Sequence, residues 1–109
     1  MAYDEGLAQI LRDHLAGHDG IAERKMFGGL CFTLNGHMVC GVHKDGGMAR
    51  VGKAAEAEAL TIPGVAPLSF TGRKMGGMVD VSGETLSDDA LRSRIVGLAV
   101  SHAASLPPK

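Results

Sequence analysis

Two cysteines and two histidines lie within thirteen consecutive residues, and thiolate and imidazole are the ligands that zinc prefers. The Asn35-Gly36 dipeptide between them is typical of a two-residue hairpin turn. Counting outward from that turn, we expect Cys31 opposite Cys40, with both side chains on one face of the hairpin. His37 and His43 then point to the other face. Four ligands cannot converge without a bulge, so the sequence predicts no metal site.

The same count places Cys31 and Cys40 at a non-hydrogen-bonded pair, where facing Cα atoms lie about 4.5 Å apart. A disulfide at that separation is strained and easily reduced. We therefore expect two free thiols packed side by side as small apolar groups. A redox switch formed by the pair is the alternative.

Two cations, a methionine and a pair of glycines occur twice, at residues 24–29 and 73–77. One interpretation is structural: the glycines form turns or bulges, and the first segment supplies a packed motif of Met26, Phe27, Gly28 and Gly29. The other is an anion site, since paired glycines expose backbone amides and nearby guanidinium groups hold negative charge. Its candidate residues are Arg24, Gly28, Gly29, Arg50 and Arg73.

Other catalytic patterns are missing from the sequence. No phosphate-binding loop, dinucleotide fingerprint or Gly-x-Ser-x-Gly elbow occurs. The acidic pair Asp88-Asp89 is typical of a solvated helix surface. The sequence predicts neither a catalytic centre nor a cofactor.

Methionines of the strand region fill a core or form an adaptable partner surface, and the core is favoured. They are Met26, Met38, Met48, Met75 and Met78.

Length and charge narrow the class of protein. The chain has 109 residues, which fits one domain over 1–109, and carries 11 Lys and Arg against 12 Asp and Glu. That balance argues against direct binding of nucleic acid, which usually shows a basic excess. No apolar run reaches the roughly 20 residues that cross a bilayer, and the start is polar and acidic rather than signal-like. We expect a cytoplasmic protein without membrane contact.

Hydrophobic periodicity predicts a first helix capped by Asp4 and a last helix capped by Ser87. Between them, the sequence indicates a short helix over 53–60 and a proline-bracketed loop at Pro63 and Pro67. Strands are expected at 23–27, 30–34, 37–43, 48–51, 68–70 and 78–81. The order α-β-β-β-β-α-β-β-α, with consecutive strands, favours an α+β fold in which helices pack on one face of an antiparallel sheet.

The run Arg24–Gly29 after a first helix resembles the Arg-x-Met-Phe-Gly-Gly segment of the TfoX/Sxy family N-terminal domain, found in bacterial competence regulators. Residues 50–52, 63–75 and 104–109 also resemble family segments, so the resemblance covers nearly the whole chain. It implies a curved antiparallel sheet with flanking helices, often in dimers. For full-length members it implies regulation of competence gene transcription. Those regulators carry a further helical domain, so we expect a short stand-alone member here.

Together, these observations favour a non-enzymatic protein-interaction module, homodimeric and with a further protein partner, linked to transcription or competence. The alternative is a small-ligand or anion-binding protein, or an enzyme, that uses Arg24, Arg50 and Arg73 near the glycine pairs. A close group of those three guanidinium groups in a concave pocket favours the alternative. Their dispersal over the surface favours the module.

Overall fold

The computed structural model describes residues 3–26, 28–70 and 73–107 of the chain. The elements follow one another as a helix, four strands, a 3₁₀ turn with a short helix, two strands and two helices. In chain order they are α1 (Glu5–Leu15), β1 (Ile21–Met26), β2 (Gly29–Leu34), β3 (His37–His43), β4 (Gly46–Arg50), the 3₁₀ turn (Lys53–Ala55), α2 (Glu56–Ala59), β5 (Val65–Phe70), β6 (Arg73–Val81), α3 (Gly83–Ser87) and α4 (Asp89–Ala104).

The strands of the described chain form one antiparallel sheet in the order β1-β2-β3-β4-β6-β5. This confirms the predicted α+β class, with helices flanking an antiparallel sheet. Helices α1, α3 and α4 contact the central strands β3 and β4 between them. No helix within the described ranges is both long enough and apolar enough to span a bilayer.

Helix α1 begins where the sequence predicts. The Asp4 carboxylate accepts from the backbone N–H groups of Gly6 and Leu7 at 2.7 and 3.1 Å, which satisfies amides that have no partner inside the helix. Four residues at helical spacing turn one face towards the sheet and are buried there. They are Leu7, Ala8, Leu11 and Leu15. Each buried leucine contributes about 1.5–3 kcal/mol relative to an exposed one.

The C-terminal part contains one more helix than predicted. Ser87 is the last residue of α3 and not the cap of α4. The cap of α4 is Asp88, whose carboxylate accepts from the Leu91 N–H at 2.9 Å. Ser82 caps α3 through its hydroxyl, which accepts from the Thr85 N–H at 3.1 Å. Two capping residues in close succession therefore divide this region into two helices.

Strand β5 includes Pro67, which was expected in a loop. Proline lacks an N–H and cannot serve both sides of a sheet, so it occurs on edge strands. Among the described residues, strand β5 is an edge strand that pairs with β6 alone, and the register shifts between Pro67 and Ser69. The proline is therefore compatible with the strand because nothing needs to pair on its outer side.

The hairpin of β2 and β3 turns where expected, but its register changes after two residue pairs. Asn35 and Gly36 have φ angles of 53° and 89°, as a type I′ turn requires. Beyond Thr33↔Met38, the next pair is Phe32↔Cys40, so Val39 is an extra residue in a β-bulge. The predicted pair Cys31–Cys40 is therefore wrong. A bulge reverses the alternation of side chains, and Val39 and Cys40 both enter the main core.

Helices α1 and α4 are joined by a hydrogen bond between Arg92 and His14. The Arg92 Nε donates to His14 Nδ1 at 3.0 Å, while its other nitrogens bind the Leu86 carbonyl and the Asp89 carboxylate. Partial burial, and then the charge of Arg92, hold the pKa of His14 below its usual value of 6.5. A proton on Nδ1 both removes the acceptor and places two cations together.

The free energy of unfolding is therefore expected to decrease as the pH is lowered, in part because His14 becomes protonated. Its folded pKa lies below the unfolded value, so the unfolded chain takes up the proton first. The contribution of neutral His14 to the stability of the fold is complete above about pH 6.5. It is lost as the pH falls through the folded pKa. Melting temperatures between pH 7.5 and 5 should fall more steeply for the native chain than for His14→Asn, which keeps an acceptor but does not titrate. Parallel profiles would contradict this assignment.

Candidate functional site

The two cysteines lie on opposite faces of the sheet. Cys40 is opposite Phe32 and belongs to the main core beneath the helices. Cys31 is opposite Gly41, the next residue along β3, and packs with Met48 in a second cluster. Both are free thiols, as expected, but the predicted side-by-side arrangement and the redox pair built on it do not form. The bulge at Val39 is the physical reason.

Neither thiol is activated. Burial raises the pKa of Cys31, and burial together with the nearby Cys31 raises the pKa of Cys40 to about 12. Since the thiolate is the nucleophile and the metal ligand, a raised pKa makes both groups unreactive at neutral pH.

We expect slow labelling of the native thiols. A raised pKa lowers the fraction of thiolate, and burial adds a steric barrier. In Cys31→Ser, where Cys40 is the remaining thiol and its burial is unchanged, a disulfide reagent at pH 8 should therefore react far more slowly with the folded chain than after denaturation. Fast labelling of the folded variant, at a rate near that of an exposed thiol, would show that Cys40 is not buried as described.

The two histidines also lie on opposite faces, so the expectation that His37 and His43 share one face is wrong. His37 is buried on the helix side, where its Nε2 donates to the Pro107 carbonyl at 2.6 Å. Its Nδ1 has no hydrogen-bond partner among the described residues. His43 lies on the other face beside Asp80. No three His, Cys, Asp or Glu side chains of the described residues are grouped as a metal site.

His43, Asp80 and Cys31 lie on one face of the sheet, which raises the question of a catalytic triad. The His43 Nδ1 accepts from the Asp45 N–H at 3.1 Å, so Nε2 carries the proton. Nε2 donates to Asp80 Oδ1 at 2.9 Å and to the Gly47 carbonyl at 3.1 Å. Both ring nitrogens are occupied, and His43 cannot take a proton from Cys31 in this arrangement.

The sheet face opposite the helices carries a row of side chains that crosses five strands. The pairs Arg24↔Cys31, Cys31↔Gly41, Gly41↔Met48 and Met48↔Asp80 connect β1, β2, β3, β4 and β6. Directly opposed residues of an antiparallel sheet point to the same side. We call this side the open face; it also includes Thr33, Met38, His43, Arg50, Leu68 and Met78.

Apolar side chains form the centre of the open face. Cys31, Met48 and Leu68 are buried, and Met38 and Met78 pack against them while remaining partly exposed. All five residues belong to strands, whereas the buried apolar residues of the helices belong to the main core. The interpretation of the methionines as core residues holds for Met48, but Met38 and Met78 present thioether side chains at the surface.

The candidate arginines are spread across the sheet. Arg24 is exposed on the edge strand β1, and Arg50 is partly buried on β4. Strands β2 and β3 separate them, which corresponds to about 14 Å at the usual strand spacing. These two residues therefore do not line one small-anion pocket. The side chain of Arg73 lies outside the described part of the chain, so a site that uses all three arginines stays a prediction.

The glycine pair Gly28-Gly29 is required by the backbone. Gly28 has a φ of 75°, in the left-handed region that favours glycine. A Cβ on Gly29 would overlap the carbonyl oxygen of Val42 on the neighbouring strand. These features suit the structural interpretation of the motif. Phe27 and the side chain of Met26 lie outside the described residues.

A shallow depression on the helix side has a volume of about 460 Å³. The N-terminal ends of three helices meet there, and two of its acids are the helix caps Asp4 and Asp88. Their carboxylates accept hydrogen bonds from backbone amides. These two acids therefore serve as helix caps, and we do not assign a ligand to the depression. Its lining residues are Asp4, Leu7, Gly83, Glu84, Ser87 and Asp88.

The residues that sequence reasoning missed are Leu68 and the grouping of Met38, Met78 and Arg50. A weak signal was present, because Met48 and Arg50 on one strand, and Met78 and Asp80 on another, alternate with core residues at a period of two. That period marks one side of a sheet. It does not reveal whether helices cover the side.

The described chain is thus a small α+β domain, with a helix-covered core on one side of its sheet and a methionine- and arginine-bearing face on the other. The chain belongs to the TfoX N-terminal domain family, because the sequence model of that family matches residues 13–103. That family is associated with the regulation of competence. Comparison with curated proteins and with solved structures gave no match.

Proposed function

We propose that the chain is a non-enzymatic protein-interaction module, acting in cytoplasmic regulation linked to transcription or competence, which binds a partner through the open face. The observation that carries the proposal is the second apolar cluster, built from strand residues and left partly exposed at Met38 and Met78. Methionine adapts its shape to different partners and is over-represented on binding surfaces of this kind. Membership of a regulatory family supports the same role.

Charge defines the partner's chemistry. Arg24 and Arg50 flank the apolar centre on β1 and β4. Asp80 on the same face is engaged by His43. A partner segment that places apolar side chains on the methionines and carboxylates against the arginines is complementary to this face. We therefore propose an acidic, apolar protein segment as the occupant.

Nucleic acid fits the open face less well. Sequence-tolerant binding of single strands relies on aromatic side chains on which bases stack. The described aromatic side chains, Tyr3 and Phe32, pack in the helix-side core. The formal net charge of the whole chain is −1. We expect no tight complex with a defined duplex at physiological salt.

A peptide-display selection on the immobilised chain tests the proposal. We expect enrichment of peptides that combine Asp or Glu with Leu, Ile, Phe or Met. Arg50→Gln and Met38→Gln should each weaken binding of the enriched peptides about tenfold, which corresponds to about 1.4 kcal/mol. The control is Arg94→Gln, because Arg94 is exposed on α4 on the other side of the molecule.

Two outcomes would overturn the proposal. One is a set of selected peptides that bind Arg50→Gln, Met38→Gln and Arg94→Gln equally well, which would place the binding surface elsewhere. The other is displacement of the peptides by a single-stranded oligonucleotide with greater affinity, which would make nucleic acid the occupant of the face.

A further inference from the structure

The two edges of the sheet are unequal. Edge strand β5 contains Pro67 and a register shift, features that hinder the addition of another strand. Edge strand β1 pairs with β2 in regular register from Ile21↔Leu34 to Met26↔Gly29 and contains no proline. Residues 22–25 of β1 are exposed. Of the two edges, β1 is therefore the one open to pairing.

The hydrogen-bonding groups of β1 alternate between its neighbour and the outer edge. The Asn35 N–H donates to the Gly20 carbonyl at 3.0 Å, which makes this position a hydrogen-bonded pair. Such pairs recur at every second residue of an antiparallel ladder. The amide groups of Ala22 and Arg24 therefore point to β2, and those of Glu23 and Lys25 point outward.

From this edge we infer that the chain forms a symmetric dimer by antiparallel pairing of β1 with β1 of a second copy. When Arg24 lies on the two-fold axis, Glu23 of each copy faces Lys25 of the other. Both of these facing positions are then hydrogen-bonded pairs, and their four backbone hydrogen bonds use the outward amide groups. Opposite charges at facing positions stabilise a sheet, so the register is self-complementary.

Neighbouring registers are less favourable. A shift of one residue in each copy places Glu23 opposite Glu23 or Lys25 opposite Lys25, and like charges at facing positions are destabilising. The proposed register has one such contact, between the two copies of Arg24. Glu23 is already fixed on the helix side by Arg12, whose Nε and second terminal nitrogen bind the carboxylate at 2.6 and 2.8 Å.

The dimer does not rest on the proposed function, because its pairing uses the backbone edge of β1 with Glu23 and Lys25, although Arg24 on the two-fold axis also belongs to the open face. A two-fold axis perpendicular to the sheet keeps both open faces on the same side. The six strands of each copy then form one continuous sheet, with the apolar centres of both copies on the same side of it.

Charge exchange at two positions tests the dimer by sedimentation equilibrium over the micromolar range. The native chain should be dimeric. Glu23→Lys and Lys25→Glu should each raise the dissociation constant about tenfold or more, because each replaces two attractive contacts with two repulsive ones. The double variant should dimerise like the native chain. An equimolar mixture of the two single variants should form a heterodimer. Arg94→Glu controls for the change in net charge made by Lys25→Glu.

Circular dichroism will show whether each variant is folded, and the double variant separates pairing from the loss of the Arg12–Glu23 contact, which it also lacks. A native monomer at these concentrations would overturn the proposal. So would single variants that dimerise as well as the native chain, or a double variant that stays monomeric. Peptide binding through Arg50 and Met38 is read separately, so failure of one proposal is distinguishable from failure of the other.

Discussion

Replacing Gly29 with alanine is expected to lower the free energy of unfolding by about 3 kcal/mol, at the upper end of the usual cost of overpacking. The added Cβ would overlap the Val42 carbonyl oxygen, which belongs to the adjoining strand and cannot rotate away as a side chain does. Strands β2 and β3 must separate to admit it. Urea denaturation measures the change as a lower midpoint at an unchanged slope.

Gly28→Ala is the matched comparison. Open space surrounds this position, so the cost is limited to holding alanine at a φ of 75°, about 1–2 kcal/mol. The two variants should therefore differ clearly. Equal losses would mean that the strands do not approach as closely as described. If neither variant lost stability, the glycines would not be needed by the backbone, and the anion-loop interpretation would gain.

Phe32→Ala is expected to be the most damaging core substitution, with a loss of about 3–5 kcal/mol. Phe32 is fully buried and is the largest such side chain in the described core. It lies opposite Cys40, beside the bulge, so alanine leaves a cavity where the backbone is irregular. The free energy of unfolding of a native domain is about 5–15 kcal/mol, so the melting temperature of the variant should be far below that of the native chain.

Ile10→Ala is the control for this substitution. Ile10 is only partly buried on α1 and packs against the margin of the core, so the neighbouring solvent can fill the space that its side chain leaves. Its loss should be clearly smaller than that of Phe32→Ala. Equal losses, or a loss below about 1.5 kcal/mol for Phe32→Ala, would contradict the placement of Phe32 at the centre of the core.

Local signals predicted the parts of the fold that depend on local chemistry. Asp4 and the leucines at helical spacing gave the start and the buried face of α1, and Asn35-Gly36 gave the hairpin turn. Each of these signals has a local physical cause: a helix cap, a stripe of apolar side chains on one helix face, or residues that adopt a positive φ. They hold whatever the rest of the chain does.

Features that depend on tertiary structure could not be predicted in this way. The bulge at Val39 requires no special residue, and it arises where two neighbouring apolar side chains both enter the core. Pro67 suggested a loop because the position of β5 at the edge was unknown. Ser87 and Asp88 are both good caps, and only the presence of α3 assigns the second of them to α4.

The candidate site was predicted only in part. Arg24 and Arg50 were named, but as members of an anion site rather than as flanks of an apolar face. Their actual relation depends on the strand order, which places β2 and β3 between them. The exposure of Met38 and Met78 depends on which side of the sheet the helices cover, and no local pattern encodes that choice.

The most direct measurement of the open face as a binding surface is methyl NMR of the chain labelled at its methionine methyl groups. An acidic, apolar peptide from the display selection is added to the folded protein. The signals of Met38 and Met78, assigned by Met38→Leu and Met78→Leu, should shift with saturation, and Arg50→Gln should require about ten times more peptide for the same shift. A bound peptide that leaves both signals unchanged would contradict the open face as the interaction site.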